Sequence, residues 1–143
     1  MLISCLACGW LETGTHIACV HCGNGFAVTR HHITTIGGLR LSSADGRYAW
    51  LLPQADRLTL GRSDPHGQFS VDVDLSIAGA YDYGVGRAHA RLFVYDGRIW
   101  LEDLQSSNGS RIGGDLVWPD QPVPLYFGSL FHLGRMSLIF DVA

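Results

Sequence analysis

From Leu39 onward the chain is a succession of short apolar runs cut by turn residues at regular spacing, which is how an antiparallel β-sandwich reads. Leu39-Arg40-Leu41 and Tyr48 to Leu52 flank Ala44-Asp45-Gly46-Arg47, and His89 to Tyr95 and Arg98 to Leu104 flank Asp96-Gly97. An Asp-Gly pair between two such runs predicts a tight hairpin, because both central residues of that turn need positive φ. In the run from His89 to Tyr95 the positions alternate, placing Ala90, Leu92 and Val94 on one face and His89, Arg91, Phe93 and Tyr95 on the other. Only one of those faces needs burial. Val71-Asp72-Val73-Asp74-Leu75 alternates strictly and predicts a further strand, and Ser129 to Leu133 and Met136 to Val142 supply the closing strands. No helix is required, and no internal repeat or low-complexity segment interrupts the pattern.

The residues before Leu39 read differently. Residues 1–26 carry every cysteine in the chain, and residues 27–38, AVTRHHITTIGG, have no strong periodicity and end on a Gly-Gly turn signal. Three parts follow: a cysteine unit over 1–26, a linker or connecting strand over 27–38, and a sandwich over 39–143. The fold class is therefore mainly β.

In the cysteine unit, Cys5-Leu6-Ala7-Cys8 and Cys19-Val20-His21-Cys22 are each followed by glycine, Gly9 and Gly23. Two thiolates three positions apart on a tight turn can both reach one tetrahedral ion at about 2.3 Å, and the glycine allows a positive φ that aims backbone N–H groups at sulfur. A unit this small lies below the roughly 40 residues at which a hydrophobic core alone suffices, so its folding must draw on the metal. The expectation is a zinc ribbon in which Cys5, Cys8, Cys19 and Cys22 hold one structural zinc ion. Four protein ligands leave no open position for catalysis. A disulfide or redox pair and rubredoxin-like iron are the alternatives. His16, His21, His31 and His32 stand near the unit, but the cysteines already fill the coordination shell.

Composition narrows the function. With 143 residues, 47% of them hydrophobic, the chain has enough apolar content for a packed core, so a disordered adaptor is excluded. The formal net charge is −3, and zinc-bound thiolates add to the negative side. All ten basic residues are arginine, and none lies before Arg30. The cysteine unit thus lacks the charge that a phosphate backbone demands, and no nucleic-acid partner is expected. No apolar run approaches the roughly 18 residues needed to span a bilayer, and the N-terminus has no signal-peptide pattern. These features predict a soluble, cytoplasmic protein without membrane insertion.

One set of segments remains: Leu60-Gly61-Arg62, Gly86-Arg87-Ala88-His89, and Ser106-Ser107-Asn108-Gly109-Ser110. In this order they resemble the peptide-binding signature of the forkhead-associated (FHA) domain. The likeness extends over about Leu39 to Val142, with Trp100 to Leu104 leading into the third segment and Leu125 to Gly134 matching the closing strand pair. The family's Asp-Gly-Asp reads Phe127-Gly128-Ser129 here. The insert from Ser76 to Gly84 resembles bacterial, particularly cyanobacterial, members. The resemblance implies an FHA-type sandwich whose end loops bind phosphothreonine. It assigns the phosphate fork to Arg62, a hydroxyl donor to Ser107, a second positive charge to Arg87 and pairing with the peptide backbone to Asn108. His89 becomes a prop of the signature loop, and Gly61, Gly86 and Gly109 serve loop geometry. Where the family has serine this chain has Gly86, so one phosphate-binding hydroxyl is missing. Its loss is expected to cost on the order of 1–2 kcal/mol of phosphate binding.

These residue types suit the task. A phosphate dianion is held best by a guanidinium and neutral donors on ordered loops, and Asn108 offers both an acceptor and a donor to an extended peptide. Catalysis finds no support: Gly128-Ser129 lacks the nucleophile-elbow pattern, and Gly84-x-Gly86 lacks the third glycine and the helix of a dinucleotide site. The chain is therefore expected to be a non-catalytic protein-interaction module, an adaptor whose phosphothreonine dependence is weakened at Gly86. The alternative is a structural subunit of a larger assembly with phosphorylation-independent contacts.

Overall fold

The computed structural model describes residues 33–64, 66 and 70–143, together with strands β1 (Leu2–Ser4), β2 (Leu11–Thr13) and β3 (Thr29–Arg30). These three form a small antiparallel sheet in the order β2-β1-β3. The four cysteines and the histidines assigned to their surroundings lie outside the described residues.

The remaining strands are β4 (Leu39–Ser43), β5 (Ala49–Leu51), β6 (Arg57–Gly61), β7 (Val73–Asp74), β8 (Ala90–Tyr95), β9 (Arg98–Asp103), β10 (Ser110–Ile112), β11 (Asp115–Val117), β12 (Val123–Pro124), β13 (Ser129–Leu133) and β14 (Met136–Val142). They make two sheets, ordered β11-β10-β13-β14-β4-β5 and β12-β9-β8-β6-β7. Alternation explains the layering. Leu41, Phe131, Leu133, Leu138 and Phe140 of one sheet and Leu58, Leu60, Ala90, Leu92, Ile99 and Leu101 of the other are buried against each other. Each leucine, isoleucine and phenylalanine among them contributes roughly 1.5–3 kcal/mol when fully withdrawn from water.

Both Asp-Gly hairpins form where the sequence places them. Asp96 and Gly97 take φ of 50° and 69°, closing β8 onto β9 with Tyr95 opposite Arg98, and β4 pairs with β5 across Ala44 to Tyr48. The closing strands β13 and β14 span the expected residues.

Four expectations are corrected. Val71 to Leu75 alternates in burial, but only Val73 and Asp74 are strand. The reason is local: Asp72 accepts a hydrogen bond from the Thr59 N–H of β6, and Asp74 accepts from the N–H groups of Ser63 and Ser76, so side-chain carboxylates take bonds that a longer ladder would give to backbone carbonyls. The β6–β7 pair is parallel, which makes the second sheet mixed. A 3₁₀ turn over Ser76–Ala78 supplies a helical element where none was expected. Finally, the core begins before Leu39. Ile33 and Ile36 are buried, and the Ile36 N–H donates to the Ala55 carbonyl at 2.8 Å, so the end of the segment assigned to a linker belongs to the sandwich.

Candidate phosphopeptide cleft

The end of β6 and the start of β8 bring the signature segments together. Gly61 is required here by close approach: a Cβ at this position would stand 2.0 Å from the Arg87 carbonyl oxygen and 2.8 Å from that of Gly86. The contact lets the Arg62 N–H donate to the Gly86 carbonyl at 3.2 Å. The Arg62 side chain is fixed twice over. Its Nε donates to the Val85 carbonyl at 2.9 Å, and its Cζ lies 4.9 Å from the centre of the Tyr81 ring. This leaves the two terminal nitrogens of the guanidinium for a ligand.

Alternation puts His89 on the face opposite Ala90, Leu92 and Val94, but it precedes β8 and is fully buried. The Gly86 N–H donates to its Nδ1 at 3.0 Å, so the proton sits on Nε2, which donates to the Gly109 carbonyl at 2.8 Å. One imidazole thereby ties the second signature segment to the third. Burial pushes its pKa below the ordinary 6.5, opposed by the bond to Gly109 and by the Asp103 carboxylate 4.0 Å away.

Asp103, buried at the end of β9, organises the third segment. It accepts from the Ser106 N–H at 3.0 Å, from Ser106 Oγ at 2.5 Å and from Ser110 Oγ at 2.7 Å, while Ser106 Oγ in turn accepts from the Gly109 N–H at 2.9 Å. These bonds hold Ser107 and Asn108 outward as exposed residues. Gly109 has φ of 81°, and the Asn108 Nδ2 donates to the Gly84 carbonyl at 2.9 Å, which leaves its Oδ1 and a second N–H for a peptide.

Arg62, Tyr81, the Gly84–Gly86 backbone, Ser107 and Asn108 line one cleft of about 220 Å³. Arg87 is not part of its wall. The Arg87 side chain is 59% exposed and its Nη1 is ion-paired with Asp64 at 3.3 Å. Gly86 is not among the positive-φ residues, and a Cβ there would meet His89 Nδ1 at 3.7 Å, an ordinary contact. A serine fits this position. Three residues escaped the sequence reading. Tyr81 lies in an insert without periodicity, Asp103 read as an ordinary strand residue, and Ser110 stood in the third signature segment with no role assigned to it. Among the described residues no cluster of three metal-ligating side chains occurs, and no helix is long and apolar enough to cross a membrane.

The FHA domain profile matches residues 58–134, and the chain belongs to the FHA domain family. That family comprises non-catalytic interaction modules that recognise phosphorylated protein partners, typically through phosphothreonine. The structure is similar to an FHA domain characterised for phosphothreonine-dependent interactions, with a TM-score of 0.57 and 23% identity over 77% of this chain and 98% of that one. It is also similar to the FHA domain of an Arabidopsis thaliana hypothetical protein, with a TM-score of 0.60 and 20% identity over 84% and 95% of the two chains. A third likeness is to Mycobacterium tuberculosis EmbR in complex with a low-affinity phosphopeptide, with a TM-score of 0.57 and 19% identity over 88% of this chain and 27% of EmbR. Among curated proteins no relative matches the chain.

Proposed function

We propose that this protein is an adaptor that binds a phosphothreonine segment of a partner in the cleft between Arg62 and Asn108. The observation that carries the reading is the convergence of an oriented guanidinium, a hydroxyl and a part-free carboxamide on one cleft of about 220 Å³. Arg62 would grip the phosphate through its terminal nitrogens, Ser107 would add a hydroxyl, and Asn108 would pair with the peptide backbone. Arg87 acts only at the rim, after exchanging Asp64 for the ligand. The chain itself carries out no chemistry.

Phosphate dependence is modest in this reading, because Gly86 has no hydroxyl and Arg87 is already paired. The same two observations favour the second reading, a docking subunit whose contacts survive dephosphorylation. Residues 1–26 are proposed to hold one zinc through Cys5, Cys8, Cys19 and Cys22, on the strength of the cysteine spacing.

Titrating a phosphothreonine peptide library and its unphosphorylated counterpart against wild type, Arg62→Ala and Gly86→Ser tests the reading. Gly86→Ser should tighten the phosphorylated peptides by about tenfold. Arg62→Ala should abolish the preference for them. If neither substitution changes binding, the cleft is not a phosphate site, and a partner retained after phosphatase treatment would establish the docking subunit instead.

A further inference from the structure

We propose that the outer face of the β12-β9-β8-β6-β7 sheet is a two-fold interface between two copies of this chain. The inference is independent of what the cleft binds. On this face Arg91 stands opposite Glu102, Phe93 opposite Trp100 and Tyr95 opposite Arg98, three rows running from the cleft end to the Gly97 turn. The centre is aromatic. Phe93 and Trp100 stack with ring centres 6.5 Å apart, and Tyr95, 67% exposed, meets the edge of Trp100 at 6.5 Å. Trp, Tyr and Arg are the residues most enriched where binding energy concentrates.

Charge decides the occupant. The rows carry Arg91 and Arg98 against Glu102, with Arg57 and Asp56 alongside, so neither sign dominates and a strongly charged partner finds no match. A second copy does match. Turned by 180° about an axis in the interface and perpendicular to the strands, it lays its turn-end row over the cleft-end row of the first. Glu102 then faces Arg98 of the second copy, Arg91 faces the Tyr95 ring, and Phe93 and Trp100 each meet their own equivalents. Glu102 spends Oε1 on Arg91 at 3.1 Å, which leaves its second oxygen for the terminal nitrogens of Arg98 on the second copy. The strands of the two sheets are then aligned, as facing sheets prefer. One ion pair repeated by the two-fold around an aromatic centre makes a weak dimer, so dissociation constants on the order of 10–100 µM are expected.

Sedimentation equilibrium on the full chain is the test. Wild type should show a monomer–dimer equilibrium, and Arg98→Glu and Glu102→Arg alone should each weaken it by about tenfold or more, because each sets like charges against each other across the axis. Mixing the two variants should restore association, since every facing pair in the mixed dimer is then of opposite sign. Circular dichroism confirms that each variant is folded. A wild type that remains monomeric at about 500 µM, far above the expected range, overturns the proposal. So does a mixture that stays monomeric, or a dimer unaffected by either substitution.

Discussion

His89 accepts a proton donor on one nitrogen and donates from the other, and this fixes the sign of a pH response. Burial holds its pKa below the ordinary 6.5 in the folded state, so below that value the unfolded chain binds more protons. The stability it contributes is complete above pH about 6.5 and is lost as pH falls from there toward the folded-state pKa. Urea midpoints of wild type should therefore drop more steeply between pH 7 and pH 5 than those of His89→Gln. Parallel slopes would show that the imidazole is not the titrating group. At this scale the sequence was informative about which residues come together: Arg62 and Asn108 line one cleft, while Gly61 and His89 pack the loops behind it. Tyr81 was invisible because nothing in Ser76 to Gly84 announces that a ring will cover Arg62. Arg87 carried the right charge, but only the folded chain shows Asp64 beside it.

Among the elements, the strands and hairpins with a strong local signal were legible and those set by tertiary hydrogen bonds were not. Asp96-Gly97 enforces its turn through backbone conformation alone, whereas Val71 to Leu75 yields most of its ladder to bonds that Asp72 and Asp74 make with Thr59 in β6 and Ser63 just beyond it. The loop from Asp103 to Ser110 belongs to the second kind. A single buried carboxylate gathers two hydroxyls and one N–H, so removing it strands the Ser110 hydroxyl inside the protein. Asp103→Ala is expected to cost on the order of 2–4 kcal/mol of stability. It should also weaken peptide binding, because Ser107 and Asn108 lose their support. Denaturant unfolding and peptide titration on the same variant check both. Unchanged binding in a folded Asp103→Ala protein would show that the loop keeps its shape without the carboxylate.

For the whole molecule, the core boundary and the cysteine unit can be tested separately. A fragment of residues 33–143 keeps Ile33 and Ile36 in the core and should unfold cooperatively with a midpoint near that of the full chain. A fragment of 39–143 loses both, and two buried isoleucines are worth several kcal/mol, roughly 2–5 each by the cost of truncating one. Equal midpoints for the two fragments would place the boundary at Leu39 after all. The full chain should bind one zinc per molecule by metal analysis. Cys19→Ser should lose the metal while the unfolding transition of the sandwich persists, and a metal-free wild type would refute the assignment.

Ile33 meets the sandwich beside Gly97, and β14 runs from the Gly134 turn, which abuts Tyr83 and Gly109 at the cleft end, to Ala143 beside Gly38 at the other. The cleft end and Ile33, after which the chain enters the sandwich, therefore lie at opposite poles, separated by strands of about 20 Å. A partner pulling on the cleft against an anchored N-terminus would load the strands along their length. In that geometry the ladder hydrogen bonds of β6, β8 and β9 resist together in shear instead of opening one at a time, as they would if both attachments were on one edge. Mechanical resistance, a property of where the load is applied more than of equilibrium stability, thus follows from the placement of a single backbone contact.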